Sequence, residues 1–264
     1  MKIGICQTDI VREKPEHNLL VAKHCIELCS QKGARLVLFP EMSFTGYYRN
    51  PKDIACDYNG GYFFNTISGY TEKYGVYIGF GFVGLRDEKF YNRYEIVAPD
   101  GRIVCDYNKI HPFSYDGEDE FYTSGDELKL CEIDGVKVCP LICYDLRFPE
   151  IFQVASEKAD LIVVPANWGG RRKSHWDILL PARAVENQCY IAGINRVGTT
   201  DDNFYAGNSA LINPMGEVVE RLGESEGYVI ANVDRQVVTA FRESFPAKKD
   251  RKPKLYRDIT CRLV

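Results

Sequence analysis

The sequence predicts a single α/β domain over residues 1–264, built on mixed rather than purely parallel sheets. Three observations carry this reading. Amphipathic helical runs alternate with short, almost wholly apolar runs of strand length, the pattern of βα units whose strands are covered on both faces. Other strand-like runs are joined directly by turn signals such as Asp134-Gly135, which marks a hairpin and so an antiparallel pair. No polar stretch is long enough to act as an interdomain linker, no segment is low-complexity, and no repeat of fixed period stands out.

Each element has a local reason. The chain opens on a strand-like Met1-Lys-Ile-Gly-Ile-Cys6. Residues 14–31 read as a helix: Leu19, Ala22, Ile26 and Cys29 share a face, Pro15 suits the first turn and Gly33 ends it. Residues 34–40 form an apolar strand, and 68–74 a short helix. That helix leads into a long strand, 76–85, with 89–99 returning as its partner. Residues 101–108 are a further strand, and 128–133 pairs with 136–142 across Asp134-Gly135. Pro149 stands at the start of a helix over 150–159. Residues 161–164 are a buried strand, and 175–188 a helix kinked at Pro181. Residues 190–197, 206–212 and 217–221 are strands, the last entered through Asn213-Pro-Met-Gly216. Asp234 caps a final helix, 234–244.

Composition narrows the function. A hydrophobic content of 45% is ample for a core, and a net charge of −4 offers nucleic acid or anionic lipid no basic surface. The lysines and arginines of 248–254 read as a solvated tail. No apolar run approaches the ~20 residues of a membrane span. The opening strand leaves no room for a signal sequence, so the ten cysteines are expected as free thiols in the cytoplasm. Cys25 and Cys29 lie four apart beside His24, and Cys139 and Cys143 are also four apart, but no Cys-x-x-Cys pair exists. The four histidines (His17, His24, His111, His175) are scattered, so no metal and no cofactor are expected. Gly79-Phe-Gly-Phe-Val-Gly84 matches the dinucleotide fingerprint by letter. A hairpin turn follows it where that fingerprint needs a helix, so its glycines are read as close-packing positions in a strand.

The chemistry concentrates at strand ends. Cys143 lies in Cys139-Pro-Leu-Ile-Cys-Tyr-Asp-Leu-Arg-Phe-Pro-Glu150, at a strand-to-helix junction that lifts a thiol off the sheet edge beside the next backbone N–H, that of Tyr144. Glu41 stands at the carboxyl end of the 34–40 strand, in Phe39-Pro-Glu-Met-Ser-Phe-Thr-Gly-Tyr47, and Lys109 at the end of the 101–108 strand, in Tyr107-Asn-Lys-Ile-His-Pro-Phe113. Ligands of open α/β sheets bind outside the carboxyl ends of the strands, so an acid, an ammonium and a thiol converge on one functional edge. Asp145 and Arg147 are expected to pair and steady the turn.

This trio, in this order, resembles the nitrilase superfamily of carbon–nitrogen hydrolases, from Lys2-Ile-Gly-Ile-Cys-Gln-Thr8 to Ile212-Asn-Pro-Met-Gly-Glu217. The resemblance implies a four-layer α-β-β-α sandwich that pairs through helices with a second subunit into a homodimer. It implies an amidase in which Cys143 attacks, Glu41 shuttles the proton, and Lys109 with the Tyr144 N–H holds the oxyanion. It also implies a second glutamate in the loop after the lysine. Asp116, Glu118, Asp119 and Glu120 are available there, and Gly117-Glu118 fits best. Asn167-Trp168, His175-Trp176, Ala182-Arg-Ala-Val-Glu-Asn-Gln188 and Asn195-Arg-Val-Gly198 are most similar to bacterial ω-amidases acting on 2-oxoglutaramate. Deaminated-glutathione and N-carbamoyl amidases are the nearest alternatives, and an inactive interaction homologue the alternative of another class. On this reading Tyr47, Phe113, Tyr144, Asn167 and Trp168 surround a small amide substrate. Arg172 then supplies a guanidinium for a carboxylate at the far end.

Overall fold

Strand alternation sorts the apolar side chains into three layers of core, and the computed structural model shows how. It describes residues 1–12, 14–47, 51, 52, 54, 56, 57, 61–200 and 203–263. The first half of the chain runs β1 (Lys2–Gln7), α1 (Pro15–Gln31), β2 (Leu36–Leu38), β3 (Cys56–Asp57), α2 (Tyr62–Tyr74), β4 (Tyr77–Arg86), β5 (Lys89–Val97) and β6 (Ile103–Asn108). Then come β7 (Cys131–Ile133), β8 (Val136–Pro140), α3 (Pro149–Ala155), β9 (Leu161–Ala166), α4 (Lys173–Asn187) and β10 (Tyr190–Asn195). The remainder is β11 (Val197–Thr200), β12 (Asn203–Ala206), β13 (Ala210–Ile212), β14 (Val218–Arg221), β15 (Gly227–Asn232), α5 (Arg235–Ser244) and α6 (Pro253–Leu263).

One sheet orders its strands β15-β1-β2-β4-β5-β6 with β3 beside β4, and the other β14-β13-β10-β9-β8-β7. The first combines parallel β1-β2-β4 with an antiparallel β4-β5-β6 meander. The second has parallel β8-β9-β10 flanked by antiparallel β7 and β13-β14. Ile3, Ile5, Leu36 and Leu38 join the central core between the sheets, while their neighbours Cys6 and Val37 pack outward under α1 and α2. Phe152 of α3 and Trp176, Leu180 and Ala184 of α4 cover the second sheet. The layers are α-β-β-α, as expected, and each fully buried aliphatic side chain contributes about 1.5–3 kcal/mol.

Several elements depart from expectation. α2 starts at Tyr62 rather than residue 68, because Phe63 and Ile67 bury against the first sheet and override the weak helix propensity of an aromatic run. The strand expected over 206–212 begins only at Ala210, since Gly207 and Asn208 take positive φ (64° and 57°) and turn the chain off the sheet. Ala206 instead closes the β11–β12 hairpin. β15, an edge strand on β1, and the amphipathic α6 were not anticipated. The fingerprint-like glycines lie within β4. A side chain at Gly81 would strike the backbone of Glu41, whose Cα lies 2.9 Å from the Cβ position, so this glycine lets the Glu41 turn settle on the sheet. No helix of the described residues is long and apolar enough to cross a membrane.

Candidate active site

The carboxyl ends of β2, β6, β8 and β9 meet around one cavity of about 400 Å³, lined by Glu41, Lys109, Glu118 and Cys143 among others. Two antiparallel steps through β5 leave β6 parallel to β2, which is why Glu41 and Lys109 emerge at the same edge. The turn after β2 is fixed from below. The Ser43 N–H donates to the Gly81 carbonyl at 2.9 Å, and Met42 takes a positive φ of 48° to swing Glu41 inward.

Three charged side chains form one buried network. Lys109 Nζ donates to Glu41 Oε1 at 2.9 Å and to Glu118 Oε2 at 2.8 Å, and all three residues are at most 2% exposed. Of the four acids in the loop after the lysine, Glu118 is the one turned inward. Gly117, at φ 73°, starts the tight 3₁₀ turn Glu118–Glu120, and the Phe113 N–H fastens Glu118 Oε2 at 2.6 Å. Asn92, which sequence reasoning missed, ties the acids together by donating to Glu41 Oε1 at 2.6 Å and to Glu118 Oε1 at 2.9 Å. Its strand position gave no signal, because only the meander brings β5 beside Lys109.

Burial works to raise the Glu41 carboxyl, but the Lys109 charge and the hydrogen bonds from Lys109, Asn92 and the Asn167 N–H outweigh it and hold the group below its ordinary value. For Lys109, burial pulls down, and the charges of Glu118 and Glu41 prevail to keep it cationic well above the usual range. The Cys143 thiol is pushed up, by burial first and by the Glu41 charge second. These shifts favour a neutral thiol beside an ionised carboxylate.

Cys143 opens a 3₁₀ turn, Cys143–Arg147, with a φ of 44°, a conformation a non-glycine residue holds only at a cost of about 1–3 kcal/mol. The first amides of such a turn have no partner within it, and that of Tyr144 adjoins the thiol. The support comes from Asp145, fully buried, but not as expected. One Asp145 oxygen accepts from the Ile142 N–H at 2.8 Å and the Tyr107 hydroxyl at 2.7 Å. The other meets the His111 N–H at 3.0 Å and Nδ1 at 2.8 Å. The expected Asp145–Arg147 ion pair does not form, because these four contacts use the carboxylate from inside the sandwich. Arg147 instead lies over the Trp168 ring, 4.8 Å from its centroid.

The remaining predicted residues line two adjoining spaces, and Phe113, Asn167 and Arg172 border both. Tyr47, Phe113, Asn167 and Arg172 line the main cavity, where Tyr115, Phe204 and Tyr205 were not anticipated. The last two come from β12 of the β11–β12 hairpin, between the expected strands 190–197 and 206–212. Tyr144 and Trp168 face a smaller adjoining cavity that also reaches Cys143. Asn167 acts chiefly on Glu41: its N–H donates to Oε2 at 2.8 Å and its Nδ2 to the Glu41 carbonyl at 2.9 Å. Among the described residues, no group of three or more His, Cys, Asp or Glu side chains is arranged to hold a metal ion.

Comparison with known proteins agrees with this geometry. Residues 2–243 match the Carbon-nitrogen hydrolase family. The chain is 38% identical to the 2-oxoglutaramate amidase of Bacillus subtilis (strain 168), over 96% of this chain and 98% of that protein. It is 33% identical to the ω-amidase YafV of Yersinia enterocolitica, over 95% and 96%. Among solved structures, XC1258 from Xanthomonas campestris, a CN-hydrolase superfamily protein with an arsenic adduct in the active site, superposes with a TM-score of 0.89 at 29% identity, covering 96% of this chain and 97% of that one. Likeness of this extent places the chain in the carbon–nitrogen hydrolase family, as an enzyme acting on amide C–N bonds.

Proposed function

We propose that this enzyme is an ω-amidase that hydrolyses small mono-amides of dicarboxylic acids, 2-oxoglutaramate first among them, through a thioester on Cys143. The observation that carries the chemistry is the Glu41–Lys109–Glu118 network facing a half-buried thiol. Cys143 attacks the amide carbon while Glu41 takes its proton. An ammonium has three N–H donors. Lys109 spends two on Glu41 and Glu118, which leaves the third, with the Tyr144 N–H, for the oxyanion. Glu41 then passes its proton to the nitrogen as the C–N bond breaks, releasing ammonia and leaving the thioester. A water deprotonated by Glu41 attacks that thioester and frees the acid and the thiol. No histidine takes part, since His111 is committed to Asp145 and stacked on Phe148 at 3.7 Å.

Glu118 holds Lys109 and, through Asn92, Glu41, so Glu118→Gln is expected to lower kcat by about 10²-fold or more. Asp116→Asn and Glu120→Gln, on exposed side chains, are expected to stay within a few-fold. Steady-state kinetics decides: equal mild losses in all three would reduce the loop to a charged lid.

The substrate assignment rests on the relatives' activities and on Arg172, whose guanidinium lines the cavity with no carboxylate partner among the described residues. Arg172→Ala should raise KM for 2-oxoglutaramate far more than for propionamide, because a cation tuned to a carboxylate discriminates against neutral analogues. Similar effects on both would remove Arg172 as the anchor. A wild type that prefers propionamide or a carbamoyl β-amino acid would overturn the ω-amidase reading and leave the Glu41–Lys109–Cys143 chemistry standing.

We also propose a cytoplasmic homodimer. Val154 of α3 and Ile178 and Val185 of α4 are at least 50% exposed on the outer helical layer, and the nine cysteines whose side chains are described are free thiols. Sedimentation equilibrium at micromolar protein tests the dimer.

A further inference from the structure

The smaller cavity beside the nucleophile is lined by Cys143, Tyr144, Arg147, Trp168 and Arg172 and contains no acid. Sequence reasoning assigned Arg147 to Asp145, but Asp145 is saturated from inside the sandwich. Arg147 is left with the Trp168 face and His175 Nδ1 at 3.1 Å. Arg172 lies over the rings of Phe113 and Tyr115, 5.2 and 5.6 Å from their centroids. No carboxylate among the described residues is within ion-pair distance of either guanidinium. Burial, and then the Arg172 charge, draw Arg147 below its ordinary value, as expected of two like charges held close without an anion between them.

Such a pair is costly unless an anion completes it. Arg147 also belongs to the same 3₁₀ turn as Cys143, so its position is rigid with respect to the reacting sulfur. We propose that Arg147 and Arg172 together form the tail site of the substrate, with Arg147 a specificity-determining residue. This rests on the ω-amidase reading and deepens it. The reacting amide sits at Cys143 and the far carboxylate lies in the acid-free cavity, gripped by two planar guanidinium forks. The carbon next to that carboxylate then lies among two cations and neutral side chains, with no acid in the wall. An oxo group there accepts hydrogen bonds from the cations, whereas the ammonium of an α-amino acid is repelled. The main cavity, with Glu41, Asp116 and Glu118 in its wall, would tolerate an ammonium, so the preference for oxo over amino acids reports which cavity takes the tail.

The test compares kcat/KM of the wild type, Arg147→Gln and Arg147→Lys on four amides: 2-oxoglutaramate, glutaramate, glutamine and propionamide. Iodoacetamide labelling of Cys143 and circular dichroism verify that each variant is folded with a competent thiol. Arg147→Gln is expected to lower the glutaramate-to-propionamide ratio by about 10- to 100-fold, the worth of a charge-assisted hydrogen bond, mostly through KM. It should also narrow the gap between 2-oxoglutaramate and glutamine, and Arg147→Lys should restore part of both ratios. The proposal is overturned if the wild type prefers glutaramate to propionamide and Arg147→Gln keeps that preference, or lowers all four substrates in proportion. A wild type with no preference for the acid-bearing amides instead refutes the ω-amidase reading, a separate result.

Discussion

Replacing Cys143 by alanine is expected to lower turnover by at least about 10⁴-fold, the scale of removing a nucleophile from a catalytic unit, with little change in the fold. The side chain is half-buried at the sheet edge, so truncation costs no more than about 1 kcal/mol, roughly one buried methylene-sized group. Its positive φ is kept by the Asp145 hydrogen bonds, which do not depend on the sulfur. Mass spectrometry of the wild type trapped with a slow amide should place one acyl group on Cys143. The nearest competitor in sequence, Cys139, is fully buried in the central core and lines neither cavity. An adduct on Cys139, or an active alanine variant, would refute the nucleophile assignment.

Lys109→Arg should lose about 10²–10³-fold in kcat, the typical cost of one oxyanion donor, although the charge is retained. One nitrogen now reaches both Glu41 and Glu118, at 2.9 and 2.8 Å, and still has a donor for the substrate. A guanidinium spreads its donors across a plane and needs more width than the 3%-exposed lysine side chain leaves. Lys109→Met separates charge from shape. With no cation nearby, burial raises the Glu41 carboxyl, so the acidic limb of kcat/KM moves to higher pH than in the wild type. An arginine enzyme above about a tenth of wild-type kcat would contradict that expected loss and make Lys109 merely structural. An unmoved acidic limb in Lys109→Met would mean that Glu41 is not the titrating base.

Much of this was legible in the chain. Periodicity located α1 and α4, and the Asp134-Gly135 turn located the β7–β8 hairpin, because each depends on residues close in sequence. Glu41, Lys109 and Cys143 were legible for a related reason: each stands just past an apolar strand, and parallel strands deliver their carboxyl ends to one edge. The relatives' activities agree with the family that these motifs resemble.

What the sequence by itself determined is the set of local commitments: which runs are strands, which residues punctuate them, and which chemical groups stand at their ends. The tertiary structure alone decided which of those groups meet. It chose Glu118 from four adjacent acids, because Gly117 and the Phe113 N–H turn one carboxylate under the lysine. It brought in Asn92, which no local pattern marks, through the antiparallel return of β5. It gave Asp145 to Tyr107 and His111 rather than to Arg147, since a buried carboxylate is satisfied first by the donors packed around it. Pairings between residues far apart in sequence depend on the closing of two sheets over one core, and that closure, unlike a helix face or a turn, leaves no periodic trace in the chain.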